Sequence, residues 1–432
     1  MTPIARITAA IEILTEVEAR RRPAADALKD WGLNHRFAGS KDRSAIGALI
    51  FDALRVRASA CWIMKSETPR AQVLGALALV RKMSVEDISA LCPAGERFAS
   101  GPLSDEEVAQ LTALDLTDAP LWVRGNFPKW LESAFSTIYG EDAADEGIAL
   151  SQRAPVDLRV NTLKATREEA FAALAHLGAS PAKYSPVGLR IEIGEDGRGP
   201  ALMAEPAYAL GQIEVQDEGS QLAALLSNAK PGMRVLDLCA GGGGKTLALA
   251  AMMQNKGLLI ATDADGRRLM PIFDRLTRAG ITNVEVRSPK AKVLELDDLN
   301  SKQDIVFVDA PCTGSGTWRR NPDAKWRLRQ PNLSLRLNEQ DAILVKASEF
   351  VKIGGVLIYV TCSILRDENE DRVARFLRNF PGFVAIDSTE MTEKAGLEHL
   401  KPFASRFGPG LRLSPRSAGT DGFYIAGLRR KY

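Results

Sequence analysis

From about residue 226 onward the chain repeats one pattern, an apolar strand-like run followed by a helical run, and this alternation restricts the fold more than any other feature. Residues 235–239, 258–262, 284–286, 305–308 and 356–360 read as strands, and residues 245–254, 266–279, 338–351 and 367–379 as helices. Short apolar runs separated by helices specify a doubly wound, mostly parallel sheet, because a parallel connection needs a crossover and both sheet faces are then covered. The closing run 421–427 reads as hairpin-like.

In such a sheet, ligands collect at the carboxyl ends of the strands. Two cysteines close two of the runs, one in Asp304-Ile-Val-Phe-Val-Asp-Ala-Pro-Cys312 and the other in Gly355-Val-Leu-Ile-Tyr-Val-Thr-Cys362. If the strands are parallel neighbours, both sulfurs reach one rim, where a thiolate is a strong nucleophile. Taken alone, either cysteine reads first as a small buried apolar residue, and it is the flanking sequence that shifts the balance.

After the first strand comes Cys239-Ala240-Gly241-Gly242-Gly243-Gly244-Lys245-Thr246. The glycines let the backbone turn tightly, and the following helix aims its positive end at a ligand. Two ligand classes compete. Gly244-Lys245-Thr246 ends like a nucleotide-phosphate loop, with Asp309 as a possible magnesium carboxylate, but Cys239 stands where that motif needs its leading glycine. A dinucleotide or S-adenosylmethionine site instead wants an acid closing the second strand to hold ribose hydroxyls, and Asp263 meets that requirement. A helix-capping role for Asp263 is the plain alternative. Arg268, in the helix that follows, is counted with the cofactor group.

Length and composition narrow the class. A chain of 432 residues is too long for one ordinary core. With 45% hydrophobic and 25% charged residues it reads as globular, and no apolar stretch is of membrane-spanning length. The N-terminus lacks a secretory pattern. Five cysteines form no CxxC pair and three histidines are scattered, so no metal cage is expected. A reducing, cytoplasmic setting fits. Net charge is only +2, but residues 317–336 concentrate Arg319, Arg320, Lys325, Arg327, Arg329 and Arg336 around Trp318 and Trp326. That composition suits phosphates and stacked bases, or equally a solvated charged face with half-buried tryptophans.

Three regions are expected. Residues 1–135 carry helical periodicity, with Ile4, Ile7, Ile11 and Leu14, then Ile46, Leu49, Ile50, Ala53 and Leu54. Asp42 and Ser44 offer start signals for the second set, and Ser104 with Glu107 forms a capping box. Residues 140–225 mix strand-like runs (156–160 and 188–193) with a helix over 167–176, and Arg159 and Asn161 are polar groups at a strand end. Residues 226–432 hold the sheet described above.

Together these pieces resemble the Nol/Nop/Sun family of RNA cytosine-5 methyltransferases, specifically the bacterial RsmB-type ribosomal RNA enzymes. The stretches that carry the resemblance are Asp237 to Thr246, Asp309-Ala-Pro-Cys-Thr-Gly-Ser-Gly-Thr317 and Thr361-Cys-Ser363 with Glu368-Asn-Glu370. Gln216-Asp-Glu-Gly-Ser220 and Asp421-Gly-Phe-Tyr424 add to it, and Lys41 to Arg55 looks like the RNA-binding helical domain of the same enzymes. Two departures stand out. Gly242 replaces the family's usual proline, and residues 287–290 after the third strand offer no carboxylate near an adenine, so no residue is assigned there.

The resemblance implies a Rossmann-like class I S-adenosylmethionine-dependent methyltransferase domain over 226–432. A small RRM-like α/β subdomain over 140–225 and an all-α NusB-like RNA-binding domain over 1–135 would precede it. It implies S-adenosylmethionine as cofactor, RNA and specifically small-subunit ribosomal RNA as substrate, and a monomer with no membrane or metal partner. Cytosine chemistry supplies the logic of the site. Carbon 5 is a poor nucleophile until a thiolate adds at carbon 6 and makes it enamine-like; after methyl transfer a base must take the carbon 5 proton so that the thiol can leave. By resemblance, Cys362 is the nucleophile and Cys312 assists release, Asp309 touches cofactor and base, and Lys245 lies near the pyrimidine. Cys239, Ala240, Gly241, Gly242, Gly243, Gly244, Lys245, Asp263, Arg268 and Asp309 hold the cofactor. A non-catalytic RNA-binding or assembly factor retaining the fold, and a phosphate-loop nucleotidase, are the alternatives.

Overall fold

The computed structural model describes residues 1–194, 199–289 and 295–432, which form two compact units. The first comprises Met1–Arg153 together with Trp318–Leu328. Its leading helix, Pro3–Arg20, starts where Thr2 accepts the Ala5 N–H and Pro3 supplies a first-turn φ without wasting a donor. Ile7, Ile13 and Leu14 from this helix pack with Ile46, Ile50 and Leu54 of the helix Ser40–Arg55 and with Leu74 and Leu77 of the helix Pro69–Leu79. Each fully buried side chain of this size contributes about 1.5–3 kcal/mol. The Ser104–Glu107 capping box forms as expected. The helix placed at Asp42 or Ser44 begins earlier, at Ser40 behind Gly39, and Asp42 instead takes the Arg6 guanidinium and the N-terminal amine.

Part of the basic, tryptophan-bearing stretch is buried, contrary to both sequence readings, while Arg320 and Arg329 remain exposed and Trp326 is half-buried. Trp318 is 0% exposed and stacks at 6.2 Å from Phe135, while Arg319 is buried and Lys325 is 1% exposed. The Lys325 ammonium donates to Ser151 Oγ at 2.8 Å and to the Arg55 carbonyl at 3.2 Å, and burial, helped by the Arg55 charge, drives its pKa well down. Trp326 donates to the Leu54 carbonyl at 2.6 Å. These four side chains anchor residues 318–328 in the helical core, because long stems with satisfied head groups pack as apolar matter, while Arg320 in the same segment stays exposed.

The second unit comprises Ala154–Thr317 and Arg329–Tyr432. Its smaller sheet is antiparallel, with β1 (Val156–Val160), β2 (Ser180–Pro181), β3 (Gly188–Ile191) and β4 (Ile213–Val215) in the order β2-β3-β1-β4. Leu158, Val160, Leu174, Leu189 and Ile213 form its core.

The larger sheet holds eight strands: β5 (Arg234–Asp237), β6 (Leu258–Thr262), β7 (Val284–Arg287), β8 (Gln303–Asp309), β9 (Val351–Thr361), β10 (Phe383–Ala385), β11 (Leu411–Leu413) and β12 (Phe423–Arg430). Its order is β10-β12-β9-β8-β5-β6-β7, with β11 also on β12. β5 to β9 are mutually parallel; β12 runs antiparallel to β9, pairing Tyr424 with Thr361 and Arg429 with Val356. Alternate residues of each strand bury to opposite faces. Val235, Leu259, Ile305 and Ile358 enter one core, and Leu236, Ile260, Val306 and Leu357 the other. This two-sided burial explains why the strands read as unbroken apolar runs.

Three expectations change. The helix over 338–351 runs instead from Gln330 to Phe350, and Val351 opens β9. The single helix over 266–279 is two, Gly266–Leu269 and Ile272–Ala279, split at Pro271, which has no N–H to continue the ladder. The closing run is no hairpin but the long strand β12, slotted between β9 and β10. Because β6 lies on one side of β5 and β8 on the other, the strand order reverses at β5. A crevice therefore opens above the carboxyl ends of β5 and β8. Lys290 lies outside the described residues, so residues 287–290 are placed only as far as Pro289.

Candidate active site

Every residue expected at the site lies at the carboxyl ends of β5, β6, β8 and β9 or on the loops and helices directly after them. After β5, the Ala240 N–H donates to the Thr262 carbonyl at 2.9 Å, tying the loop to the end of β6. Gly241 and Gly243 take φ of +50° and +83°. A Cβ on Gly243 would stand 2.4 Å from Cγ1 of Ile272, so both conformation and space require glycine there. The helix Gly244–Met252 follows. Gly242, in the family's proline position, gives its carbonyl to Arg275 at 2.5 Å, and Arg159 donates to the Gly244 carbonyl at 2.7 Å. Cys239 is pressed well above its ordinary pKa by burial, then by the charges of Asp237, Asp263 and Asp309, which leaves it an unreactive thiol.

Asp263, just beyond β6, accepts the Gly241 N–H at 3.0 Å and the Asp265 N–H at 2.9 Å, and pairs with Arg268 at 3.1 Å. The capping role falls to its neighbour Asp265, which accepts from the Arg267 N–H. Asp237, at the end of β5, accepts the Thr246 hydroxyl at 2.7 Å through Oδ2, while its buried Oδ1 has no hydrogen-bond partner among the described residues. Burial pushes Asp237 up to about 7, against the Thr246 bond and with the Asp309 charge adding to the shift. A glycine cradle at a helix start, a carboxylate at the next strand end and an orphaned acceptor fit the ribose and amino groups of S-adenosylmethionine.

Across the crevice, Lys245 Nζ lies 2.7 Å from Asp309 Oδ2 and 5.4 Å from the centre of the Phe423 ring. Desolvation lowers the Lys245 pKa, but the Asp309 charge and hydrogen bond outweigh it and the net direction is up, so this lysine stays cationic. β8 and β9 are indeed parallel neighbours, with Asp309 opposite Val360. The two cysteines that follow them bring their sulfurs to 3.4 Å. Cys312 is raised well above the usual thiol range by its bond to Cys362, then by burial and the charges of Cys362 and Glu368.

Several functional-looking residues carried no assigned role in the sequence. Glu368 bonds to the residues that follow both cysteines, and Gln216 takes a bond from Arg159 beneath the glycine loop. Both stand in stretches that carry the family resemblance, but their bonds connect residues distant in sequence and show only in the folded chain. Gly316 and Gly422 pack backbone to backbone, with Gly422 N–H donating to the Gly316 carbonyl at 2.8 Å, a contact any Cβ on Gly316 would destroy.

Comparisons with known proteins place the chain in one family. Residues 224–429 match the model of the family described as 16S rRNA methyltransferase RsmB/F, and residues 127–196 match the ferredoxin-like domain of RsmF/B-like methyltransferases. The chain is 31% identical to the probable ribosomal RNA small subunit methyltransferase B of Synechocystis over 320 residues, which is 73% of this chain and 70% of that protein. It is 31% identical to the protein of the same description from Bacillus subtilis over 352 residues, 77% and 74% of the two chains. The crystal structure of PH0851 superposes with a TM-score of 0.71 at 25% identity, covering 100% of this chain and 99% of that one.

Proposed function

The chain belongs to the RsmB/F family of 16S rRNA methyltransferases, and from that premise we propose that it methylates carbon 5 of a cytosine in small-subunit ribosomal RNA through a covalent cysteine adduct. It is an S-adenosylmethionine-dependent RNA methyltransferase with a Rossmann-like class I catalytic fold. The observation that carries the finer reading is the 3.4 Å approach of Cys312 and Cys362 beside the Lys245–Asp309 pair. Neither cysteine is disulfide-bonded.

S-adenosylmethionine, when bound, would supply an electrophilic methyl group. Gly241 to Gly244 would let the backbone approach it, Asp263 would accept from its ribose, and Arg268 would stay paired with that carboxylate. Cys362 Sγ adds to carbon 6 of the cytosine as its thiol proton passes to ring nitrogen 3, breaking aromaticity and making carbon 5 nucleophilic. Lys245 and Asp309 border the ring and hold its polar edge in one orientation. Once carbon 5 carries the methyl, Cys312 gives its thiol proton to the departing Cys362 sulfur and takes the carbon 5 proton in its place, so the 5,6 double bond re-forms, the carbon–sulfur bond breaks and both cysteines end as thiols.

The helical region 1–135, with the 318–328 segment that packs into the same unit, serves as the RNA-binding module, 140–225 as a small α/β subdomain and the rest of 226–432 as the catalytic domain. The protein works as a cytoplasmic monomer; among the described residues no helix is long and apolar enough to cross a membrane. Mapping 5-methylcytosine in ribosomal RNA from cells with and without the gene tests the reading. Loss of one or more small-subunit sites on deletion is expected, and an unchanged map overturns it.

A further inference from the structure

The groups around the cysteine pair converge on a carboxylate that the steps above do not use. Glu368 is 0% exposed. Its Oε1 accepts the Thr313 N–H at 2.8 Å and Gln340 Nε2 at 3.0 Å, and its Oε2 accepts the hydroxyls of Thr313, at 2.5 Å, and Ser363. Thr313 follows Cys312 and Ser363 follows Cys362, so one carboxylate grips the residue after each cysteine. Gln340 also donates to the Pro311 carbonyl at 2.9 Å, on the near side of Cys312. The two loops meet again where the Gly316 N–H donates to the Cys362 carbonyl at 2.9 Å and where Ser315 Oγ lies 2.9 Å from Ser363 Oγ. Burying a carboxylate is costly unless its lone pairs are filled, and here four donors fill them. A fold needing only bulk at this point would be served by an apolar side chain.

We propose that Glu368 is the positioning residue of the cysteine pair, a buried clamp that fixes the Cys312 and Cys362 loops so that both sulfurs address one cytosine. This rests on the covalent reading given above. The clamp also makes the sulfurs unequal. The Glu368 charge adds to the Cys362 bond and to burial in keeping Cys312 a thiol, so Cys312 does not compete as nucleophile.

The test uses full-length protein, S-adenosylmethionine and a small-subunit ribosomal RNA fragment in single turnover, following the protein–RNA adduct on denaturing gels. Glu368→Ala removes all four bonds. Glu368→Gln keeps them, because the Thr313 and Ser363 hydroxyls can turn to accept from a carboxamide. Adduct formation should slow by about tenfold or more in Glu368→Ala with the KM for cofactor within about twofold, and Glu368→Gln should recover most of the rate. A merely structural glutamate would lower the melting temperature without this split between rate and KM. Should Glu368→Ala fail to fold, Thr313→Val, which removes a single hydroxyl donor, is expected to slow the adduct in the same direction. Wild-type adduct rates in Glu368→Ala or Thr313→Val, or a Glu368→Gln protein as slow as Glu368→Ala, would overturn the clamp. Absence of any adduct in the wild-type protein would overturn the covalent reading itself, a result separable from the others.

Discussion

Lys245 and Asp309 face each other at 2.7 Å, joining the helix after the glycine loop to the strand that leads to Cys312. Lys245 is the more enclosed partner, so the pair is not symmetric in what its loss leaves behind. Asp309→Ala strands a buried ammonium, an error that costs about 3–5 kcal/mol in a fully buried pair and less here because Asp309 is partly solvated. Lys245→Met strands only a half-exposed carboxylate. Denaturant melts should therefore rank Asp309→Ala as the less stable variant, and the reverse order would mean that Lys245 is better solvated than its surroundings show.

The two cysteines should fail differently. Cys362→Ala leaves no sulfur to add at carbon 6, so turnover and adduct both vanish. Cys312→Ala permits addition but slows release, so a denaturation-resistant protein–RNA adduct accumulates. Adduct in the first variant and none in the second would reverse the roles.

Asp263→Ala should weaken S-adenosylmethionine binding by about 1.5–3 kcal/mol, roughly ten- to a hundredfold, by deleting a charge-assisted ribose bond. Asp263→Asn keeps an acceptor for the Gly241 N–H and should fall between the two. Calorimetry that finds wild-type affinity in both removes Asp263 from the site.

Asp237 gives a pH signature. Its folded pKa, near 7, stands above the ordinary aspartate value of 3.8. The protonated form is therefore favoured on folding, and the stability this confers is present below about pH 4 and is lost as pH rises through about 7. Asp237→Asn cannot ionise. Relative to that variant the wild-type protein without cofactor should lose a few kcal/mol between about pH 4 and 7, as followed by urea melts across that range. Parallel stability curves would show that Asp237 is ionised throughout.

Trp318 lies in the helical core although its segment, Trp318–Leu328, is flanked in sequence on both sides by the second unit. Trp318→Ala should cost about 3–5 kcal/mol through the cavity left against Phe135. Deleting residues 1–135 would strip the cover from that ring, so the truncated chain should aggregate unless Trp318 is made polar. A truncated protein that is monomeric in sedimentation with Trp318 intact would show that the ring finds other cover.

The parallel sheet was legible because strands buried on both faces cannot hide their composition, and the rim was legible because Cys312 and Cys362 each close such a run. What could not be read is what depends on distant neighbours. Nothing local distinguishes Trp318, Arg319 and Lys325, fixed in a helical core, from a basic stripe presented to RNA. Pro271 was visible, but a proline can end a helix or only kink it, and the local sequence does not say which. Glu368 sat in plain sight within a recognised motif, and its bonds to Thr313 and Ser363 exist only after β8 and β9 have paired.

The membership of Trp318–Leu328 in the helical unit bears on how the chain emerges during synthesis. Residues 1–153 can collapse early, yet their core lacks the Trp318 ring, and Arg55 lacks the Arg319 carbonyl to which it donates at 2.8 Å, until residue 328 has left the ribosome. By then β5 to β8 are already made. An amino-terminal module that would ordinarily fold first must instead wait, half closed, for a segment that arrives after the first four strands of the larger sheet.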